Sequence, residues 1–143
     1  MTAEVTVVGV SRLDDHVLLA DAGLAMAMVA AGARRLVDLR GETKPPGLPV
    51  PIDHFPIMDL EPDQDEMILS ATRRLVELTS AGVTVGVYCQ AGISRTSTVA
   101  IAYLMLGGES LNEAARAVRQ ARPQAMPAPE LWHSLERIAL LLA

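Results

Sequence analysis

Gly82-Val83-Thr84-Val85-Gly86-Val87-Tyr88-Cys89-Gln90-Ala91-Gly92-Ile93-Ser94-Arg95-Thr96 is the stretch that orients the rest of the chain. Gly82 to Val87 is apolar and β-branched and predicts a short buried strand. Ser97 to Leu106, rich in Ala, Ile and Leu, predicts a buried helix. Cys89 therefore stands at a strand end, on a short loop that feeds a helix N-terminus. Backbone N–H groups there lack intrahelical partners, and the helix dipole adds partial positive charge, so an anion fits the place. The thiolate is also the form of a cysteine that such a site favours. Arg95 lies six residues after Cys89. If the loop curls around a ligand, its amides and the planar guanidinium surround one tetrahedral oxyanion. Gly92 relieves the turn where backbone comes close to the ligand. Thr96 brings a hydroxyl within reach of the sulfur. A nucleophile inside an anion cradle means phosphoryl transfer through a cysteinyl-phosphate.

Working outward, apolar strand patterns alternate with helical ones. Glu4 to Val10 and Val17-Leu18-Leu19 predict strands, and Asp21 is placed to cap a helix from Ala22 to about Ala31, stopped by Gly32. Leu36 to Leu39 predicts a buried strand. Glu42 to Pro51, with four prolines and one glycine, predicts a stiff loop at the rim of a cleft. Ile52 to Ile57 predicts a strand, and Gln64 to Ala81 a helix with Ile68, Ala71, Leu75 and Leu78 on its inner face. Ser110 with Glu113 forms a capping box for a helix buried along Leu111, Ala114, Ala115 and Val118. Pro123 to Pro129 is a stiff connector, and Leu131, Leu135, Ile138 and Leu142 line the last helix, with Trp132 as its anchor. Such alternation predicts an α/β architecture, a mostly parallel sheet covered on both faces, with ligands at the C-terminal strand ends. The 143 residues predict a single domain, 1–143, that buries roughly two-thirds of its unfolded surface.

Composition excludes several classes of function. A net charge of −5 argues against nucleic acid or an anionic membrane as the main partner. No apolar run reaches the roughly 18 residues of a membrane span. No signal peptide is evident, and one cysteine forms no intramolecular disulfide, so a cytoplasmic protein is expected. A lone cysteine is ordinarily a small buried hydrophobe; the loop around Cys89 argues otherwise. The three histidines are scattered without ligand spacing, so neither a metal site nor a cofactor is expected.

Cys89-(five residues)-Arg95-Thr96 resembles the phosphate loop of the cysteine-dependent protein phosphatases, and Ala91-Gly92-Ile93-Ser94-Arg95 resembles their dual-specificity branch. Ala102-Tyr103-Leu104-Met105 followed by Ser110-Leu111-Asn112-Glu113-Ala114 is similar to that family's AYLM…SLxEA helices. Arg122-Pro123 followed by Pro127-Ala128-Pro129 resembles its connection into the last helix, with Ala128-Pro129 departing from the usual residues. The match runs from about Ile57 to the C-terminus. It implies a protein-tyrosine-phosphatase-like fold of the dual-specificity type. It also implies hydrolysis of phosphotyrosine, with phosphoserine and phosphothreonine, through a cysteinyl-phosphate. A non-protein phosphate ester and a phospho-residue-binding module with little turnover are the alternatives. Cys89 is then the nucleophile and Arg95 the transition-state clamp. Gln90, Ala91, Gly92, Ile93, Ser94 and Arg95 bind the phosphate. The family usually carries His immediately before the Cys; Tyr, which stands here as Tyr88, can donate a hydrogen bond but carries no positive charge at neutral pH.

An aspartic acid protonates the leaving oxygen in this chemistry, and the chain offers Asp53, Asp59, Asp63 and Asp65. Asp53 lies inside a strand, Asp63 is the expected N-cap of the following helix, and Asp65 falls in its first turn. Asp59, after Pro56-Ile57-Met58 at a strand end, has no such structural duty and resembles the family's acid loop. Asp59 is the first candidate and Asp63 the second. Arg40, at another strand end, is a lesser candidate for substrate contact beside Asp38 and Glu42.

Overall fold

A computed structural model describes residues 7–143. In chain order it contains β1 (Ser11–Arg12), β2 (Val17–Asp21), a 3-10 turn (Ala22–Leu24), α1 (Ala25–Ala30), β3 (Arg35–Arg40) and β4 (Ile52–Ile57). Then come α2 (Asp65–Ser80), β5 (Val85–Cys89), α3 (Arg95–Leu106), α4 (Leu111–Ala121) and α5 (Pro129–Leu142). The sheet order is β1-β2-β5-β3-β4. β1 runs antiparallel to β2, and every other pairing is parallel. β5, which carries the cysteine, thus lies at the centre, flanked by β2 and β3.

Alternation along the strands decides what each face buries. Val17, Leu19, Val37, Leu39, Val85, Val87 and Cys89 face a core built with α2, α3, α4 and α5. Leu18, Ala20, Leu36 and Tyr88 face the other way, onto Ala25 and Met28 of α1. α3 is buried along Arg95 to Ala102 and at Met105 because α2, α4 and α5 all pack around it. It is a core helix, not an amphipathic surface one. α4 has the polar outer face, and its capping box forms as expected, with Ser110 Oγ accepting from the Glu113 N–H at 3.1 Å and Glu113 Oε1 from the Ser110 N–H at 3.0 Å.

Several expectations are corrected. Residues 4–6 of the expected first strand lie outside the described residues; 7–10 form a turn with Gly9 at φ +88°, and β1 is the first strand among the described residues. Asp21 makes no side-chain cap, and the chain enters α1 through the 3-10 turn, since the Ala22 N–H is taken by the Gln90 carbonyl at 3.2 Å. Asp63 is not the N-cap of α2. It adopts left-handed backbone, φ +61°, and Gln64 occupies the cap position with its side chain turned back toward Met58. The cysteine strand is Val85–Cys89 rather than 82–87, because Gly82 at φ +81° closes α2 first. Leu111 is only half-buried and Leu142 is exposed, at the two outer ends of α4 and α5.

Candidate active site

Cys89 is the last residue of β5 and Arg95 the first of α3, so the five residues between them form the whole strand-to-helix turn. The carbonyls of this turn are tied outward. Gln90 O accepts from the Ala22 N–H at 3.2 Å and Ile93 O from the Met126 N–H at 3.0 Å. Gly92 O accepts from Arg122 Nε at 2.6 Å. In a trans peptide the N–H points opposite to the carbonyl. Fastening these three carbonyls outside therefore turns the N–H groups of Ala91, Ile93 and Ser94 toward the hollow between Cys89 and Arg95. Gly92 has φ +68°, and a Cβ there would lie 2.6 Å from the Ala20 carbonyl and from Arg122 Nη2. Only glycine fits. Ser94 Oγ accepts from the Ala128 N–H at 2.8 Å, and Ser97 Oγ donates to the Ile93 and Ser94 carbonyls, which pins the start of α3.

Thr96 Oγ1 donates to Cys89 Sγ at 3.0 Å; both residues are buried. Arg95 is buried as well. Its Nη1 donates to Glu42 Oε1 at 2.5 Å and to the Ile57 carbonyl at 3.0 Å, and its Nη2 donates to Glu42 Oε2 at 2.9 Å. Glu42 thus takes the end-on edge of the guanidinium. The side-on edge, Nε with the second Nη2 hydrogen, stays open, and Nε is a buried donor with no partner. Asp59 Oδ1 is likewise a buried acceptor with no hydrogen bond, and lies 3.8 Å from that Nε. The separation makes an ion pair without a hydrogen bond. Two orphaned groups therefore face one spot beside the sulfur loop. The Arg95 guanidinium holds the Glu42 carboxyl down from its ordinary 4.5 to about 2, and Glu42 in turn raises Arg95.

Glu42, Met58, Asp59, Leu60, Glu61 and Arg95 line a cleft of about 320 Å³ here. A larger hollow of about 500 Å³ along α4 and α5, at Asn112, Arg116 and Trp132, shares no residue with it. Gln64 ties the Asp59 loop. It accepts from the Met58 N–H at 2.6 Å and donates to the Met58 and Glu61 carbonyls, the latter at 2.7 Å.

The structure brings Cys89, Arg95, Thr96 and the turn between them into one cradle, with Asp59 at its edge. It gives the other acids different partners. Asp53 is paired with Arg35 and Arg74, and Asp65 with Arg137. Arg40 is committed to buried Asp38 at 2.9 Å, stacks 5.4 Å from the Tyr88 ring centre, and reaches Gln90 Oε1 at 3.3 Å. It steadies the cradle wall instead of projecting into the cleft. Tyr88 is fully buried beside Asp38 and Arg40; burial, then Asp38, pushes its phenol above the ordinary range, so it stays neutral. Its hydroxyl has no hydrogen-bond partner. Glu42, Gln64 and Arg122 were not named as site residues from the sequence; Arg122 entered only with Pro123, in the connector into the last helix. Only the position of Glu42, just past a strand end in the stiff loop, hinted at a place on the rim. Among the described residues no group of three or more His, Cys, Asp or Glu is placed to ligate a metal, and no helix is long and apolar enough to cross a membrane.

Residues 48–139 match the family model of the dual specificity phosphatase catalytic domain. The chain belongs to that family. It is a cysteine-dependent, dual-specificity protein phosphatase, and hydrolysis through a cysteinyl-phosphate is a general feature of that family. Human dual specificity phosphatase 28 is 32% identical over 122 residues, 81% of this chain and 68% of that protein. A crystal structure of the human protein superposes with a TM-score of 0.83 at 28% identity, covering 98% of this chain and 99% of the other. A mouse putative dual specificity phosphatase complexed with zinc tungstate gives 0.85 at 28% identity, covering 99% and 93%. Buried Arg95, Thr96, Ser97 and Thr98 open α3, the element directly after the central strand, so the cradle is set into the core, not laid on it.

Proposed function

We propose that Cys89, Arg95, Thr96 and Asp59 perform the hydrolysis in a single catalytic domain, 1–143, acting on phosphotyrosine and on phosphoserine or phosphothreonine. Cys89 Sγ attacks phosphorus in line. The ester P–O bond breaks as the S–P bond forms, and the leaving oxygen takes the Asp59 proton. Charge on the equatorial oxygens is met by the N–H groups of Ala91, Ile93 and Ser94 and by the side-on edge of Arg95. Water then attacks the cysteinyl-phosphate, gives its proton to the Asp59 carboxylate, and releases phosphate and the thiolate. The Thr96 hydroxyl stabilises the sulfur as it leaves.

What supports this reading most is the conjunction at one spot of a sulfur hydrogen-bonded by Thr96 with the unpartnered Arg95 Nε and Asp59 Oδ1. Glu42 is the orienting group: it fixes the guanidinium while leaving open the edge an oxyanion takes. The mouse relative was crystallised with zinc tungstate, and tungstate is a tetrahedral oxyanion of phosphate-like shape. A cytoplasmic location fits the single cysteine, which acts best as a free thiol in a reducing compartment. The runner-up, phospho-residue binding with little turnover, draws on Tyr88 in the place of the usual His. Phosphate release from an aryl phosphate separates the two. Turnover that persists with chelator and is lost in Cys89→Ser supports the reading; turnover retained in Cys89→Ser, or lost with chelator, overturns it.

A further inference from the structure

Arg122 is a buried arginine, 3% exposed, with no carboxylate in hydrogen-bonding contact among the described residues. It follows the last turn of α4, outside the Cys89–Thr96 segment. Its Nε donates to the Gly92 carbonyl at 2.6 Å, and its Nη1 donates to the Gly9 carbonyl at 3.0 Å and to Ser11 Oγ at 3.1 Å. One guanidinium thus fastens the middle of the cradle to the segment that leads into β1. The neighbouring anchors at Gln90 O and Ile93 O are ordinary backbone N–H groups. Only the Gly92 peptide is held by a full positive charge.

A buried cation bonded mainly to neutral acceptors is expensive, and burial does push this guanidinium down from its ordinary range, with Asp21 and Cys89 acting in the opposite direction. Something must make such an arrangement useful. A charged donor on a carbonyl polarises that peptide, and the N–H at its other end becomes a stronger donor. Here that N–H belongs to Ile93 and is turned toward the hollow. The ionisable groups that act on Arg122 are Asp21, at the end of β2, and Cys89, at the end of β5.

We propose that Arg122 is a positioning residue of the phosphatase reaction: by clamping the Gly92 carbonyl to Gly9 and Ser11 it holds the Ile93 N–H on the transferring phosphoryl group. The proposal rests on the assignment of Cys89 as nucleophile.

The test compares the full chain with Arg122→Met, Arg122→Lys, Ser11→Ala and Cys89→Ser, reading kcat and KM on a phosphotyrosine peptide, inhibition by vanadate, and thermal melting. Arg122→Met is expected to lower kcat and to weaken vanadate in step, each by about 10²-fold, the effect of removing one oxyanion donor. KM moves much less. Arg122→Lys, which keeps the charge and one donor, regains at least about tenfold of that loss. Ser11→Ala, which loosens the clamp without touching the cradle, lowers both readings a few-fold. A purely structural role predicts something else: a lower melting temperature for Arg122→Met with kcat and vanadate inhibition within about twofold of the parent. That result, or a lysine variant no better than methionine, overturns the proposal. If Arg122→Met does not fold, Arg122→Lys and Ser11→Ala decide, and parental values in both overturn it. Turnover in Cys89→Ser means the nucleophile was misassigned. An inactive Cys89→Ser beside unaffected Arg122 variants means that only this inference fails.

Discussion

Between Cys89 and Ser97 the chain is fastened by Ala22, Arg122, Met126 and Ala128 from three different parts of the fold, whereas between Met58 and Gln64 its fastening is the carboxamide of Gln64. Exposure follows. Cys89 is 2% exposed and Thr96 0%, while Leu60 is 77% exposed and the Asp59 side chain 40%. One wall of the cleft is therefore core and the other is loop. The division suits the chemistry. An oxyanion cradle works by being organised before the substrate arrives, because reorganisation would consume the stabilisation it gives. A general acid must meet leaving groups of different shape, such as phenol and alkyl hydroxyl, and a loop tolerates that. The nucleophile side should respond to substitution in the same way with every substrate. The acid side should respond according to the leaving group.

Arg95→Lys probes the rigid wall and is expected to be severe with every substrate. A point charge replaces the two-edged fork, so Glu42 and the phosphoryl group can no longer be held together. Turnover falls by about 10²–10³-fold with phosphotyrosine and with an activated aryl phosphate alike. A loss that depends on the leaving group would erase the distinction between the walls.

Asp59→Asn probes the loop wall. It should cost about 10²–10⁴-fold with phosphotyrosine, the usual range for general acid catalysis, and far less with an aryl phosphate whose leaving group needs no proton. Asp63→Asn is the control. Its left-handed backbone serves the turn and its side chain has no part in the proposed chemistry, so leaving-group dependence in Asp63→Asn but not in Asp59→Asn would move the acid. Gln64→Ala sharpens the same contrast: it removes the tie and leaves Asp59 in place. About a tenfold loss is expected, because a misplaced acid loses near-attack geometry without losing its proton. The loss should again be larger for the poor leaving group.

The smallest effect concerns Glu42. Its carboxyl is held at about 2 against an ordinary 4.5, so the folded state binds this proton less readily than the unfolded chain. Its contribution to stability is complete above the ordinary carboxylate range and is lost as pH falls through about 2. The difference in melting temperature between the parent and Glu42→Gln should therefore be constant from neutral pH down to mildly acid pH and close only below it. Glu42 is partly exposed, so the difference will be modest.

The same two walls differ in how far they are legible in the sequence. The cradle is contiguous: strand, loop and helix follow one another from Val85 to Leu106, and the six-residue offset of Arg95 from Cys89 carries its geometry. Parallel alternation and the buried face of α2 were equally readable from local periodicity. The partners of the cradle were not, because they arrive by tertiary folding: Glu42 lies 53 residues from Arg95, and Arg122 lies 30 from Gly92. The Arg122-Pro123 connector was visible as a pattern, but nothing in it names Gly92 as the partner. Asp63 shows a different failure. Capping preference favours Asp before a helix, but the chain turns back at this point to close the acid loop. It needs left-handed backbone at Asp63 and uses the longer Gln64 side chain to reach Met58. At the N-terminal end, the valines before Val10 read as a strand, but at 7–10 Gly9 turns the chain instead and its carbonyl is taken by Arg122.

The account depends most on a covalent bond between Cys89 and phosphorus. Rapid acid quenching of the enzyme during turnover of a phosphotyrosine peptide, followed by peptide mapping with mass spectrometry, tests it directly. The prediction is one phosphoryl group on the peptide containing Cys89, carried on sulfur, accumulating further in Asp59→Asn when an activated aryl phosphate is used, and absent in Cys89→Ser. Phosphate released at the parental rate with no adduct on Cys89, or an adduct on any other residue, would contradict it.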